Sequence, residues 1–416
     1  MATINVIGLT GGVGGAAVPF DVADLFSGGE NGLWYDPNDK TSLFTGDMAT
    51  SSSAGTAGDW DPVATSTIRF MIDKRLVGDA ADFATWLAAE TEVILDSTMT
   101  GTTEWTEGTG VTHDSGNTQF DFDGTTASAT LRTDDTTLAV HNEMYAIEVV
   151  VSNWVAGTAR VEIGDGTSTA YSITGDGTYN FVARASVGGG GTLGYFGIES
   201  EAATPFDASI DSFSAKSLGA TYAHTNNATN VLPPTVEEVG VTGVYYLAFP
   251  GGNSSNMGLR SIVHSETLST DSVILYAGAS RDAPAQYYTS IGFGAGGNFN
   301  LGQAKTKTTD FYPSVFMPGI TVEYAETVTA DESLVIWEFY LDETARTMTI
   351  DKNDSNVHAA NSVAGAASWS GGGQWFLGAN TNGLLGAETD FYGMIVYEAS
   401  SFNQSAYDWL DAIVNP

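Results

Sequence analysis

Met144-Tyr-Ala-Ile-Glu-Val-Val-Val151 is followed by Ala159-Arg-Val-Glu-Ile163, Ala170-Tyr-Ser-Ile173 and Tyr179-Asn-Phe-Val-Ala183, and the reading of these four runs decides the fold. Apolar residues recur at alternate positions within them, and Gly, Asp, Asn and Thr clusters separate them. Period 2 is the side-chain alternation of a β-strand, and the breakers are turn formers. The same texture continues on both sides. Upstream lie Val93-Ile-Leu95, Gln119-Phe-Asp-Phe-Asp123 and Ala127-Ser-Ala-Thr-Leu-Arg132; downstream lie Leu193-Gly-Tyr-Phe-Gly-Ile198 and Ala208-Ser-Ile-Asp-Ser-Phe-Ser-Ala215. Residues 92–218 thus read as one antiparallel sandwich or jelly roll, with Val93-Ile-Leu95 as its expected first strand.

The flanks read as two halves of another β-domain. Ser272-Val-Ile-Leu-Tyr-Ala277, Tyr287-Tyr-Thr-Ser-Ile-Gly-Phe293, Gly319-Ile-Thr-Val-Glu-Tyr324, Leu334-Val-Ile-Trp-Glu-Phe-Tyr-Leu341 and Thr347-Met-Thr-Ile-Asp351 are its strand candidates, with turns at 341–346 and 351–354. Residues 76–91 place Phe83, Trp86 and Leu87 at helical spacing behind a capping Asp79. Asn403 to Val414 carries Ala406, Tyr407, Leu410 and Ile413 on one helical face. Residues 1–20 are small and apolar around Gly11-Gly-Val-Gly-Gly15, and no Lys or Ser/Thr follows as a phosphate loop requires, so they read as a flexible arm. The expected architecture is all-β, with two antiparallel β-sandwich or jelly-roll domains, one inserted in the other, and a short C-terminal helix. The arm is 1–20, the discontinuous outer sandwich 21–91 and 219–416, and the inserted jelly roll 92–218.

Composition narrows the function. The 416 residues hold 14 Lys plus Arg against 50 Asp plus Glu, a net charge of −36. Such a surface repels phosphate backbones, which argues against nucleic-acid binding. The acidity suits either solubility in a salty medium or the binding of divalent cations. There is no cysteine, so disulfide and thiolate chemistry are excluded. No window reaches the length of an apolar membrane span, and Met-Ala-Thr-Ile-Asn-Val-Ile-Gly lacks the basic and apolar regions of a signal peptide. A protein made in a host cytoplasm and carried out by assembly or lysis is the expectation.

Asp24-Leu-Phe-Ser-Gly-Gly-Glu-Asn-Gly-Leu-Trp-Tyr-Asp-Pro-Asn-Asp39, with Phe70-Met-Ile-Asp-Lys-Arg75, resembles the opening of a class of tailed-bacteriophage virion proteins that carry a laminin-G/concanavalin-like sandwich. The class's next pieces match Gly219-Ala-Thr-Tyr-Ala-His-Thr-Asn226, Leu232-Pro233-Pro234 and Val244-Tyr-Tyr-Leu-Ala-Phe249, which arrive about 140 residues late. The delay is the block 92–218. That block is similar to carbohydrate-binding, galactose-binding-like jelly-roll modules at Thr103-Glu-Trp-Thr106, Tyr145 to Trp154, Gly157 to Gly164 and Ile210-Asp-Ser-Phe-Ser214. The resemblance implies a virion-surface protein that associates with other virion proteins and with its own copies, and that adheres to host or environmental glycans. It also implies a structural calcium, for which Asp96 and Asp211 are the candidates; Thr98 stands where the modules have a carboxylate. In the outer half, Phe249-Pro-Gly-Gly-Asn-Ser254 lacks the acids that many relatives carry there. A capsid-decoration or tail-associated role without glycan binding, and a polysaccharide depolymerase, remain open beside the adhesin.

No catalytic residues are assigned. His113, His141, His224, His264 and His358 fall singly, outside any nucleophile or metal motif, and the acids sit mostly in turns. Sugar rings stack on exposed aromatic faces, which makes Trp105, Trp154, Tyr171, Tyr179 and Tyr195 candidates against the alternative of core packing. Trp154 leads, because Ser152-Asn-Trp-Val-Ala-Gly157 reads as a strand end entering a turn. Asp121, Asp123 and Arg132 are candidate partners for sugar hydroxyls.

Overall fold

The structure is a computed structural model. It describes residues 21–27, 32–39, 42–44, 68, 70–77, 83–141, 143–164, 169–185, 191–219, 222–225, 234–239, 242–252, 259–261, 271–280, 291–293, 299–307, 310–317, 320–323, 334–342, 344–345, 347–353, 355–362, 375–378, 386–399 and 401–414. The glycines at 11–15, the cap expected at Asp79, His264 and the pair Leu232-Pro233 lie outside these residues.

Among the described residues the chain forms four antiparallel sheets. Two use only strands between residues 105 and 219. One has five strands in the order Gly177–Arg184, Met144–Ala156, Asp207–Gly219, Gln119–Asp123 and Val111–Asp114. The other has six: Thr169–Ile173, Ala159–Gly164, Leu193–Ser200, Thr130–Thr133 and Trp105–Glu107, with Ala139–Val140 also on Leu193–Ser200. Met144–Ala156 shows why they stack. Tyr145, Ile147, Val149 and Val151 enter the core that both sheets share, while Glu148, Val150 and Ser152 take the opposite face. Phe120, Phe122, Ile210 and Phe213 join from the five-stranded side, and Trp105, Leu131, Val161, Phe196 and Ile198 from the other. Each such side chain contributes roughly 1.5–3 kcal/mol on full burial.

The remaining sheets are built from the flanks. Gly32–Tyr35 lies on Gly386–Glu398, Leu33 opposite Val396 and Tyr35 opposite Met394. Phe70–Ile72 lies on Tyr222–Thr225, Met71 opposite Ala223. Strands separated in sequence by residues 92–218 therefore pair directly. The eight-stranded sheet also holds Thr235–Glu238, Tyr245–Gly252, Ser272–Ser280, Val335–Asp342, Thr347–Lys352 and Ser355–Ser362. Its alternate residues divide between two cores, Ile274 and Tyr276 facing the nine-stranded sheet, Val273 and Leu275 facing the C-terminal helix. That helix, Gln404–Val414, is capped by the Asn403 side chain, which accepts from the backbone N–H of Ser405 and Ala406. It buries Ala406, Tyr407, Leu410 and Val414, with Ile413 partly buried.

The Trp34-Tyr-Asp-Pro-Asn-Asp39 motif pins this outer unit together. Asn38 accepts from Tyr245 N, Asp73 accepts from Trp34 N, and Lys74 reaches Asp39 at 3.2 Å and lies over the Trp34 ring. Trp34 in turn meets Trp409 edge-on.

Two local expectations give way. Val93-Ile-Leu95 is not a strand: only Glu92 bridges to Lys216, Ile94 enters the core, and Leu95 is 80% exposed on a turn. The Asp96 carboxylate folds that turn by accepting from the backbone of Thr100 and Gly101, a local bond that competes with the ladder. The helix expected across 76–91 is instead Lys74–Val77 and Phe83–Ala89, with Trp86 and Leu87 buried.

Candidate functional site

The outer face of the five-stranded sheet carries a polar row. Ser152, Ser209, Asp121 and Thr112 stand opposite one another on four adjacent strands. The alternation that sends Phe120, Val151, Ala208 and Ile210 inward leaves these groups on the other side. Ser209 Oγ donates to Asp121 Oδ1 at 2.7 Å and accepts from Gln119 Nε2 and Asn153 Nδ2. Gln119 Nε2 also donates to Asp121 Oδ1, Asn153 Nδ2 to Ser152 Oγ, and Ser152 Oγ to Asp211 Oδ1 at 2.8 Å. One chain of hydrogen bonds thus runs from Asp211 to Asp121. Its floor is buried, Ser209 4% and Gln119 8% exposed, while Asn153 is exposed at its rim.

The strand is shaped to do this. Asp207 pairs with Ala156 and Ser209 with Ser152, so Asn153, Trp154 and Val155 stand opposite the single residue Ala208. Asn153 adopts φ +55°, the left-handed region Asn tolerates best after Gly. The bulge turns Trp154 and Val155 outward, 36% and 68% exposed. Asp176 holds the Trp154 backbone N–H at 2.7 Å, and the indole N–H donates to Gly157 O.

The six-stranded sheet presents a different outer face. Arg132, Gly197 and Glu162 are opposite one another on three strands, and Glu199 pairs with Arg160. Glycine at 197 lets the Arg132 side chain cross the middle strand; a Cβ there would stand 3.0 Å from Arg132 Cγ and 2.8 Å from Leu131 O. Arg132 reaches Glu162 Oε2 at 3.2 Å and lies over the Tyr195 ring, whose hydroxyl also donates to Oε2. Arg160 holds Glu199 at 2.7 Å. Glu162 is fully buried and its Oε1 accepts from no donor. Burial, and then the hydrogen bond it shares with Glu199, push the Glu162 carboxyl up to about 7. Burial opposes the charge on Glu199 as well, but its bonds to Glu162 and Arg160 win and hold it below the usual range. Of the two neighbouring carboxyls, Glu162 is therefore the one that holds a proton more readily and Glu199 the one that stays charged.

The sequence-derived residues therefore divide. Asp121 and Asp211 come to one face, and Trp154 stands exposed on the bulge next to Asn153. Trp105 does not: it is 3% exposed, packs on Phe120 and Phe213, and gives its N–H to Asp96 O, so it is a core residue and no stacking platform. Asp123 turns both oxygens onto Thr125 and Thr126 of its own turn, which holds its carboxyl down at about 2. Tyr179 is half-buried with its hydroxyl on Gly175 O. The Tyr171 side chain lies outside the described residues. Arg132 belongs to the other sheet. Asp96 and Asp211 make no joint calcium site, since Asp96 closes on Thr100 and Gly101 and Asp211 on Ser152. Among the described residues no three acidic, His or Cys side chains gather as a metal site. Missed by the sequence reading were Gln119, Ser152, Asn153 and Ser209, and the pair Glu162 and Glu199. Their positions in period-2 runs marked them as outward, but nothing local marked them as neighbours.

No family model and no curated protein matches the chain. Among solved structures it is similar to Trypanosoma rangeli sialidase in complex with the inhibitor DANA, at 12% identity over 47% of this chain and 31% of that one, with a TM-score of 0.34. The botulinum neurotoxin serotype G binding domain follows at 10% identity, 47% of each chain and a TM-score of 0.29. The CBM22-1–CBM22-2 tandem of Paenibacillus barcinonensis Xyn10C is matched at 11% identity over 75% of this chain and 98% of that one, with a TM-score of 0.24. The chain spans about a third of the sialidase's length. Likenesses this distant carry no argument about activity.

Proposed function

We propose that the chain is a non-enzymatic structural protein of a tailed-phage virion surface whose 92–218 sandwich adheres to glycans through the outer face of its five-stranded sheet. The observation that carries the adhesive part is the Ser152–Ser209–Asp121 row with the exposed Trp154 indole beside Asn153. Fixed polar groups that meet hydroxyls, beside an aromatic face that meets sugar C–H surface, form the usual two halves of a carbohydrate site. The virion part rests on the resemblance at 24–39, 70–75 and 244–249. It includes association with other virion proteins and with copies of the same chain.

A depolymerase is less well supported. Glycoside hydrolysis needs two carboxyls roughly 5–10 Å apart flanking the bond. The glutamate whose proton affinity suits a general acid, Glu162, is buried, ion-paired and within hydrogen-bond reach of its neighbour Glu199. A glycan array, run with and without calcium, tests adhesion: retention of at least one polysaccharide is expected, and silence across the array defeats it. Imaging of the assembled particle tests the virion placement, which fails if the protein is absent from the particle surface.

A further inference from the structure

The row on the five-stranded sheet has a polarity that selects among glycans. Ser152 and Ser209 each have one hydroxyl hydrogen, and Gln119 and Asn153 each have two amide hydrogens. All of them are engaged within the network, on Asp121 Oδ1, Asp211 Oδ1, Ser209 Oγ or Ser152 Oγ. What remains on these residues is acceptor only: Asp121 Oδ2, Asp211 Oδ2, Gln119 Oε1 and Asn153 Oδ1 carry no hydrogen bond among the described residues, and the exposed Thr112 hydroxyl at the end of the row adds a single donor. Of the basic side chains in this sandwich with described contacts, Lys216 lies on the Ser209 strand, opposite Ala146, and gives its Nζ to Leu87 O, while Arg132 and Arg160 belong to the other sheet and are paired there with Glu162 and Glu199.

We infer that this face takes a neutral, hydroxyl-rich glycan and rejects uronic or otherwise anionic ones. The inference rests on the adhesive reading above and fixes its ligand class. A neutral sugar brings hydroxyl hydrogens, which the outward oxygens accept; bonds to carboxylate acceptors are the stronger kind. An anionic sugar brings more acceptors and a negative charge to a row whose outward groups are acceptors except for the Thr112 hydroxyl, and an unmatched charge against Asp121 and Asp211 is repelled. Strands lie about 4.8 Å apart, so the four-strand row is on the order of 14 Å long, room for a chain of about three sugar units.

The test uses the full chain on a panel of neutral polysaccharides, such as dextran, a β-glucan, a mannan and a galactan, each beside its carboxymethylated counterpart. Binding is read at 0.15 M and 0.5 M NaCl. The higher salt screens the repulsion by the whole −36 protein and leaves the site's own excess of acceptors in place. At least one neutral polymer is expected to bind, and its carboxymethylated form at least tenfold more weakly at both salts. Asp121→Asn supplies the contrast, because an amide oxygen keeps the bonds from Gln119 and Ser209 while its N–H2 faces out. That variant, folded by circular dichroism, is expected to lose several-fold affinity for the neutral polymer and to narrow the gap. Equal or tighter binding of the carboxymethylated form at 0.5 M salt overturns this inference while leaving glycan adhesion standing. Retention of no polymer at all instead defeats the adhesive reading itself.

Discussion

The two sheets of the 92–218 sandwich share one core and differ on their outer faces. On the five-stranded sheet, hydroxyls and amides satisfy one another and leave oxygens pointing outward. On the six-stranded sheet, Arg132 meets Glu162 and Arg160 meets Glu199, so each charge is answered within the face. A face whose groups are already matched has little left for a ligand. The difference teaches that chemical saturation, more than charge content, separates a structural surface from a binding one. The row rich in ions is the one assigned to stability, and the row of small polar residues is the one assigned to recognition.

Removing Arg132 breaks that division most severely. Arg132→Ala leaves Glu162 buried without its cation, and at pH 8 a loss of about 3 kcal/mol in unfolding free energy is expected by denaturant titration. At pH 5, where Glu162 holds its proton, the loss shrinks to about 1 kcal/mol. Glycan binding stays unchanged at either pH, and a binding loss there would mean the two faces are not separate.

The pH dependence of the unmodified protein is next. The Glu162 carboxyl sits above its ordinary 4.5, at about 7. A raised value means that the folded chain holds a proton the unfolded chain releases. This contribution is fully present below about pH 4.5 and is lost as pH rises through 7, while the lowered Glu199 carboxyl contributes in the opposite sense, its stabilisation being lost as pH falls. Glu162→Gln, which cannot lose a proton, flattens this slope. An equal slope in the variant would place the titrating group elsewhere.

Smaller effects on stability belong to the other face, where binding is the sensitive readout. Ser209→Ala removes the bridge between Asp121, Gln119 and Asn153; it is expected to cost about 1 kcal/mol of stability and to lower glycan affinity about tenfold in a direct titration. Trp154→Ala, at an exposed bulge, changes the melting midpoint hardly at all, within about 0.5 kcal/mol. It nevertheless lowers affinity several-fold. If Trp154→Ala binds as well as the unmodified chain, the aromatic half of the site lies elsewhere.

Much of the scaffold could be read from the residues. The runs at 119–123, 144–151, 159–163 and 208–215 became strands because alternation records which side chains face a core, and that record is local. The pairing of Gly32–Tyr35 with Gly386–Glu398 followed the late arrival of the motif around Val244-Tyr-Tyr-Leu247. Val93-Ile-Leu95 misled because three apolar residues also suit a turn that sends only Ile94 inward. Trp154 stands out in the sequence as a strand end entering a turn and does bulge out at Asn153, whereas nothing local to Trp105 shows that it points into the core.

The sequence by itself determined that this chain is all-β, acidic, free of cysteine and split by a block of regular strands, since composition and period-2 alternation follow from residue identity alone. Only the tertiary structure decided which polar residues act together. Ser209 finds Asp121 across 88 positions and Arg132 finds Glu162 across 30. Strand order and register set those meetings, and a glycine at 197 or a bulge at 153 decides whether a side chain crosses a strand or turns to solvent. Register depends on the whole core settling at once, so no stretch of the chain carries it alone.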